Sequence, residues 1–480
     1  MSSAKSVVLS AGTSLFLSIV QLTMAASGNS VAFVCDSNDS SVSFFDVTNP
    51  ISTTAQAALV DTSPSAIAIA ASRYVCVCNR NSNTVSIIDA HDPLKPPIRV
   101  IVGASPSAIA IADNRYACVC NRGEDTVSVF DVTNPPVVAA PTINVGFAPY
   151  DIAIAQEKLA CVTNNDQYYG SVAIFDVTNL QLPIATLAVG PSPQALAVAA
   201  HRYVCVCNNG SNTVSVFDAT NPFEFPQTVL VGNGPSAIAV AADRYVCVTN
   251  ATDGTVSIFD VTHLSTPATT VTVIPNPGSI AIADNRYVCV ATVGGKIAIA
   301  SNSVSVFDLY NPPNGPAPTV TVGALPVAIA IADNKYACVC CAQSNTVSIF
   351  DVTNLPSGTA PSIVVGGFPN AIAILPGKVF PPRQFTGHIH RHGRKSVLRM
   401  KWEKSPSVNI ASYEIFAFRK RIATIFPHSS FKFRKTLHSP YLLRKRIPKQ
   451  YLHHLHEKYR IRAVNVNGVT SRLMPLKVGH

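Results

Sequence analysis

The residues with the most obvious chemistry are cysteines placed two apart. "RYVCVCN" runs from Arg73 to Asn79, and variants return along the chain as RYACVCN, RYVCVTN, RYVCVAT and KYACVCC. A Cys-x-Cys pair can donate thiolates to a soft metal or act as a redox dithiol. Either role needs sulfurs from several segments to converge on one point. Cys76, Cys118, Cys161, Cys205, Cys247, Cys289 and Cys338 share one position of the repeat, and Cys35, Cys78, Cys120, Cys207 and Cys340 share the position two residues on. Thr163 and Thr249 stand in for the second cysteine, so that site asks for a small, weakly polar side chain. No histidine recurs with the pairs, and a total of 13 cysteines is odd, against a closed disulfide set. Residues i and i+2 of a strand share a face. The cysteines are therefore expected to be reduced, buried packing residues between repeats, with no metal and no cofactor.

The elements that carry them repeat. The Asp of "FDVTNP" occurs at Asp46, Asp89, Asp131, Asp176, Asp218, Asp260, Asp308 and Asp351, at spacings of 42 to 48 residues. The Pro before "AIAIA" occurs at Pro64, Pro106, Pro149, Pro193, Pro235, Pro277, Pro326 and Pro369. Within a unit the alternation has period two: "AIAIA", "RYVCVCN", "TVSIFDV" and "TVTVG", separated by turn residues. Four antiparallel strands at this spacing are the sequence form of a β-propeller blade. The array begins on an Asp strand and ends on a Pro strand. The segment 30–47 thus lacks an innermost strand that "NAIAIL" after Pro369 can supply. The expectation is an all-β chain with eight four-stranded blades, seven being the rival count, latched by strands from both ends because an open ring would expose unpaired edges.

The motifs "LACVTNN" and "RYVCVTN", followed by "SVAIFD" and "TVSIFD", resemble the YVTN family of β-propeller repeats over roughly residues 30–380. The resemblance implies a bacterial or archaeal propeller, often placed outside the cytoplasm or at the cell surface. Its function is left open, because fold does not give function.

Three sets of residues are candidates for binding. The basic residue opening most second strands (Arg73, Arg115, Lys158, Arg202, Arg244, Arg286, Lys335) faces the repeated Asp across a hairpin, so cross-strand ion pairs such as Arg244 with Asp260 are expected rather than a free basic ring. Loops between second and third strands vary most from unit to unit, which makes Arg80, Arg122, Tyr168, Tyr169 and Lys296 candidate ligand contacts; solvated turns are the alternative. At the channel mouth only Asp151, beside Tyr150, is ionisable at neutral pH, and no carboxylate pair or His–carboxylate set stands there. The chain is accordingly expected not to be an enzyme. The alternative is a propeller enzyme, lactonase-like or quinone-dependent, with its site around Tyr150 and Asp151.

Charge divides the chain. Residues 1–380 carry 14 Lys and Arg against 23 Asp and Glu, a net −9, whereas residues 381–480 carry 22 against 3, a net +19. After a basic linker (381–395), residues 396–480 resemble a fibronectin type III module, an immunoglobulin-like β-sandwich, through Trp402, Tyr413 and Tyr459 followed by "RAVNVNG". The usual Pro-Gly ahead of that tyrosine is absent. The clusters "FRKR", "FKFRK" and "LRKR", the last holding Arg444, Lys445 and Arg446, form a basic surface. The expected partner is a protein or a polyanion (anionic lipid, polysaccharide or nucleic acid), met by a monomer. Residues 1–28, with Lys5 ahead of a mildly apolar run and Ala25–Ala26, resemble a signal peptide. The density of thiols points instead to a reducing compartment. An extracytoplasmic and a cytoplasmic location both stay open.

Overall fold

In a computed structural model, the described residues are 29–48, 55–181, 184–292, 302–377 and, beyond them, only the strands between Arg383 and Val478. The possible signal peptide (1–28), Lys296 and the 444–446 cluster lie outside the described residues.

Residues Ser30–Leu375 form one unit and consist of eight four-stranded antiparallel sheets. Blade 1 comprises Pro64–Ala70, Tyr74–Asn79, Thr84–Asp89 and Ile98–Ile101, from the inner strand outward. Blades 2 to 7 repeat this order, with inner strands at Pro106–Ala112, Pro149–Ala155, Pro193–Ala199, Pro235–Ala241, Pro277–Ala283 and Pro326–Ala332. Blade 8 takes its three outer strands, Val31–Asp36, Ser41–Asp46 and Gln56–Leu59, from the start of the array and its inner strand, Pro369–Leu375, from the end. Phe33 lies opposite Ala373 and Cys35 opposite Ala371. Eight blades and the two-ended latch are as the Pro and Asp marks predict.

The alternation sorts side chains between the two faces of each blade. Cys76, Cys78, Val85 and Ile87 of blade 1 pack against Ala117, Val119 and Phe130 of blade 2, and equivalent clusters fill all eight interfaces. All 13 cysteines are free and buried. Burial alone pushes the Cys76 thiol up to about 12, so these thiols stay protonated at physiological pH. Inner strands close on their second strands through two-residue turns with both residues at positive φ, such as Ala71 and Ser72, bonded from Arg73 N–H to the Ala70 carbonyl at 3.0 Å.

A polar peg sits under the inter-blade crossing in most blades. The Asn ending a second strand donates from Nδ2 to two hydroxyls of the third: Asn250 to Thr255 and Ser257, both at 2.9 Å. The Gly of the crossing loop then donates its N–H to that Ser, Gly232 to Ser257 Oγ at 3.2 Å. A Cβ on Gly232 would lie 2.7 Å from Asn250 Cγ, so the crossing rests directly on the Asn. Asn79, Asn121, Asn164 and Asn208 hold this position in blades 1 to 4, Cys341 in blade 7 and Asp36 in blade 8.

Residues 376–480 belong to a second unit. It has two four-stranded sheets, ordered Thr436–Leu437, Lys395–Glu403, Arg383–His392, Lys477–Val478 and Lys420–Ile425, Ile410–Ala417, Tyr459–Asn465, Met474–Pro475. Its first strand begins inside the stretch read from sequence as a linker. No helix occurs among the described residues.

Gly232→Ala should therefore lower stability by about 1–3 kcal/mol through overpacking. In an Asn250→Ala background the loss should be smaller, and a double-mutant cycle read by chemical denaturation measures the coupling.

Candidate functional site

The two rims of the ring differ in chemistry. The lower rim holds the inner hairpin turns and the ends of the third strands. There Arg73–Asp89, Arg115–Asp131, Lys158–Asp176, Arg202–Asp218, Arg244–Asp260, Arg286–Asp308 and Lys335–Asp351 pair at 2.5 to 3.2 Å. The guanidinium of Arg244 holds Asp260 well below the usual carboxylate range. Most of these cations also lie over the ring of the next tyrosine, 4.5 Å for Arg202 on Tyr203. The lower basic residues are thus spent on their own blades, and each exposed pair contributes about 0.2–1 kcal/mol.

The upper rim is built from the crossing loops and the loops between second and third strands. The residue before each inner-strand Pro is left-handed, with φ between 49° and 70°: Ser63, Ser105, Ala148, Ser192, Gly234, Asn276, Leu325 and Phe368. For a residue with a Cβ this conformation costs about 1–2 kcal/mol. In seven blades the carbonyl of that residue accepts an N–H from the first residue of the neighbouring loop, at 2.8 to 3.3 Å. Arg80 and Arg122 are two of those donors, bonded through their backbones to Ser63 and Ser105. Their side chains have no carboxylate within ion-pair distance among the described residues, unlike the lower cations.

Blade 3 breaks the pattern of the rim. Where four other inner strands open with Ser-Ala or Gly-Ser and three with Gln-Ala, Val-Ala or Asn-Ala, this one opens with Tyr150 and Asp151. Arg122, from the loop of blade 2, lies over the Tyr150 ring at 5.0 Å. Tyr168 and Tyr169, 73% and 85% exposed, follow Asp166, whose carboxylate accepts both of their backbone N–H groups at 2.7 and 2.9 Å. Phe147, in the crossing loop just before, is 64% exposed. The structure thus brings Arg122 and Tyr150 together and leaves Arg80, Tyr168 and Tyr169 exposed on the same rim. Phe147 was missed from sequence, although "GFAPY" departs visibly from "GASPS".

Asp151 does not point at a reaction partner. Its Oδ1 accepts from Ile152 N–H at 2.9 Å, and its Oδ2 accepts from Leu196 N–H of blade 4 at 3.0 Å. After the pair made by the Pro, the ladders of blades 3 and 4 resume at Ile152 and Leu196, one residue later than in blade 1. The carboxylate occupies that opening and ties two blades together. Among the described residues no group of three His, Cys, Asp or Glu is placed to hold a metal.

No protein-family profile matches the chain, and no curated protein sequence does. Solved structures resemble it. The dihydro-heme d1 dehydrogenase NirN, in complex with DHE, superposes with a TM-score of 0.56 at 14% identity, covering 72% of this chain and 74% of that one. AztD of Citrobacter koseri gives 0.54 at 14%, covering 73% and 98%. The hydrazine synthase of Kuenenia stuttgartiensis gives 0.48 at 18%, covering 60% and 95%. At such identities the likeness is one of fold. It nevertheless corrects the expectation that the chain is not an enzyme. A ring of this shape belongs to a dehydrogenase, so the propeller gives no ground for excluding catalysis.

Two buried carboxylates should make stability pH-dependent. Burial pushes both Asp36 and Asp151 from 3.8 to about 6. A carboxyl whose folded value is raised favours folding at low pH, and that contribution is lost as pH rises from about 4 through 6. Asp36→Asn, which installs the residue of blades 1 to 5, should raise stability at pH 7.5 by about 1–3 kcal/mol. The gain should shrink at pH 4, and urea denaturation at the two pH values checks it.

Proposed function

We propose that the chain is a binding propeller whose upper rim, at blades 2 and 3, takes a ligand with an anionic group beside a flat apolar face. The observation that carries this reading is the Arg122–Tyr150 stack. It is a cation with no carboxylate at ion-pair distance among the described residues, laid on an aromatic ring at the one inner strand that opens with an aromatic and an ionisable residue. A guanidinium on a ring offers an anion both charge and planar donors. Exposed tyrosines beside it add amphipathic contact area at low conformational cost.

We read the repeats as YVTN-type and the tail as a basic fibronectin type III-like module; the repeat motifs and the two four-stranded sheets of the tail support this. The tail's net +19 gives it affinity for polyanionic surfaces, and Arg444, Lys445 and Arg446 are one of its two runs of three consecutive cations. The likeness to NirN adds a specific question: whether a ligand held at the upper rim is also oxidised or reduced there.

The test is a thermal-unfolding screen of the full chain against aromatic carboxylates and acidic peptides. A ligand at 100 times its Kd should stabilise the ring by about 2.7 kcal/mol. That stabilisation should vanish in an Arg122→Ala, Tyr150→Ala variant that itself melts normally. Stabilisation that survives the double substitution places the site elsewhere. Ligands that pass are then assayed with electron acceptors for turnover. In parallel, the full chain should bind vesicles of anionic lipid at low salt, and less so with Arg444, Lys445 and Arg446 changed to Glu. Vesicle binding that ignores salt contradicts the tail's assigned role.

A further inference from the structure

The outermost strand of each blade presents an open edge, and the ring treats these edges in two ways. In blade 1 the carbonyl of Ile101, on the outer strand, accepts the N–H of Ala140 from the loop of blade 2 at 2.9 Å. Thr272 of blade 5 accepts Ala317 N–H at 2.9 Å, and Thr321 of blade 6 accepts Ala360 N–H at 2.8 Å. Each capping alanine precedes a proline, Pro141, Pro318 and Pro361, whose carbonyl accepts from the third strand of its own blade at 2.8 to 3.0 Å. At the last of these edges the cap runs parallel to the strand it covers, Thr321 beside Thr359. The caps come from loops two residues longer than those of blades 1, 4 and 5, which carry no Ala-Pro.

Leu230 holds the same position in blade 4 as Ile101 in blade 1, opposite Thr213 as Ile101 is opposite Thr84. The loop that follows it around the ring is the short one, Thr262–Ala268, and none of its N–H groups donates to the Leu230 carbonyl. A groove of about 650 Å³ stands there instead, lined by Thr228 to Gly232 on one side and by Asp253, Thr255 and Leu264 to Ala268 on the other. The loop entering this outer strand carries Phe223 and Phe225, 90% and 96% exposed.

We propose that the outer edge of blade 4 is a docking site for an extended Ala-Pro segment of a partner protein, which adds to Gln227–Leu230 as the chain's own caps add to blades 1, 5 and 6. The occupant's chemistry is read from those caps. It is a short, extended, small-residue stretch whose alanine N–H bonds the Leu230 carbonyl, with a proline that cannot continue the ladder and so limits the addition to one register. Main-chain hydrogen bonds supply the affinity in strand addition, and the groove walls supply the choice of side chains.

A labelled synthetic peptide of the cap sequence PVVAAPT, residues 136–142, is titrated into the full chain and followed by fluorescence polarisation. Saturable binding is expected. N-methylation at the alanine before the proline should weaken it at least tenfold by removing the bonding N–H. Replacing residues 262–268 with residues 133–141 gives blade 4 a cap of its own and should weaken binding to the same degree. Should that graft fail to fold, the N-methylated peptide still decides. Equal binding by the methylated peptide, equal binding by a folded graft, or no saturable binding overturns the proposal.

Discussion

The structure depends on one constraint: a blade of small apolar residues has two faces, and each face needs a neighbour. Alanine, valine and cysteine recur on the second strands, and most third strands add a Phe, such as Phe130, that fills the interface against them. Each of the eight interfaces buries a cluster of these residues. A row of such blades left open would expose two apolar faces at its ends. The inner strand Pro369–Leu375 removes them by completing the blade begun at Val31. On the channel side of the same closure, Asn370 Nδ2 donates to the Pro64 carbonyl of blade 1 at 3.1 Å. Both rims, and every loop on them, take their positions from that closed ring.

Much of this was legible along the chain. The Pro and Asp marks gave the blade count and the latch, because they are local signals of strand starts and ends. The Cys pairs gave a packing face because i and i+2 share a side, and the lower ion pairs followed from hairpin geometry. What escaped the reading lies between blades, where neighbours are distant in sequence. The contact of Gly232 with Asn250 and the bond of Asp151 to Leu196 are of this kind. So are the stack of Arg122 on Tyr150 and the cap of Ala140 on Ile101. Cys341 shows the limit from the other side. It looks like an extra member of the Cys series, yet it fills the peg position that Asn holds elsewhere.

Function concentrates where the repeat departs from itself. The lower rim repeats its ion pairs blade after blade and so has little left to offer a partner. The upper rim departs at blade 3, with Arg122 over Tyr150, and on the outer surface, where blades 3 and 8 also show no Ala cap among the described residues, the open edge of blade 4 stands beside a groove. A ring built for close packing provides rigid positions for both. The fold alone does not choose between a binder and a catalyst, since a dehydrogenase shares it.

Closure is tested most directly by hydrogen exchange on the unaltered chain. The amides of Val31–Asp36 in blade 8 are compared with those of Tyr245–Asn250, the equivalent strand of blade 5. If Pro369–Leu375 completes blade 8, the two sets exchange at similar, slow rates and unprotect together as denaturant is raised. Fast exchange of Val31–Asp36 while Tyr245–Asn250 stays protected would show an open ring and contradict the account.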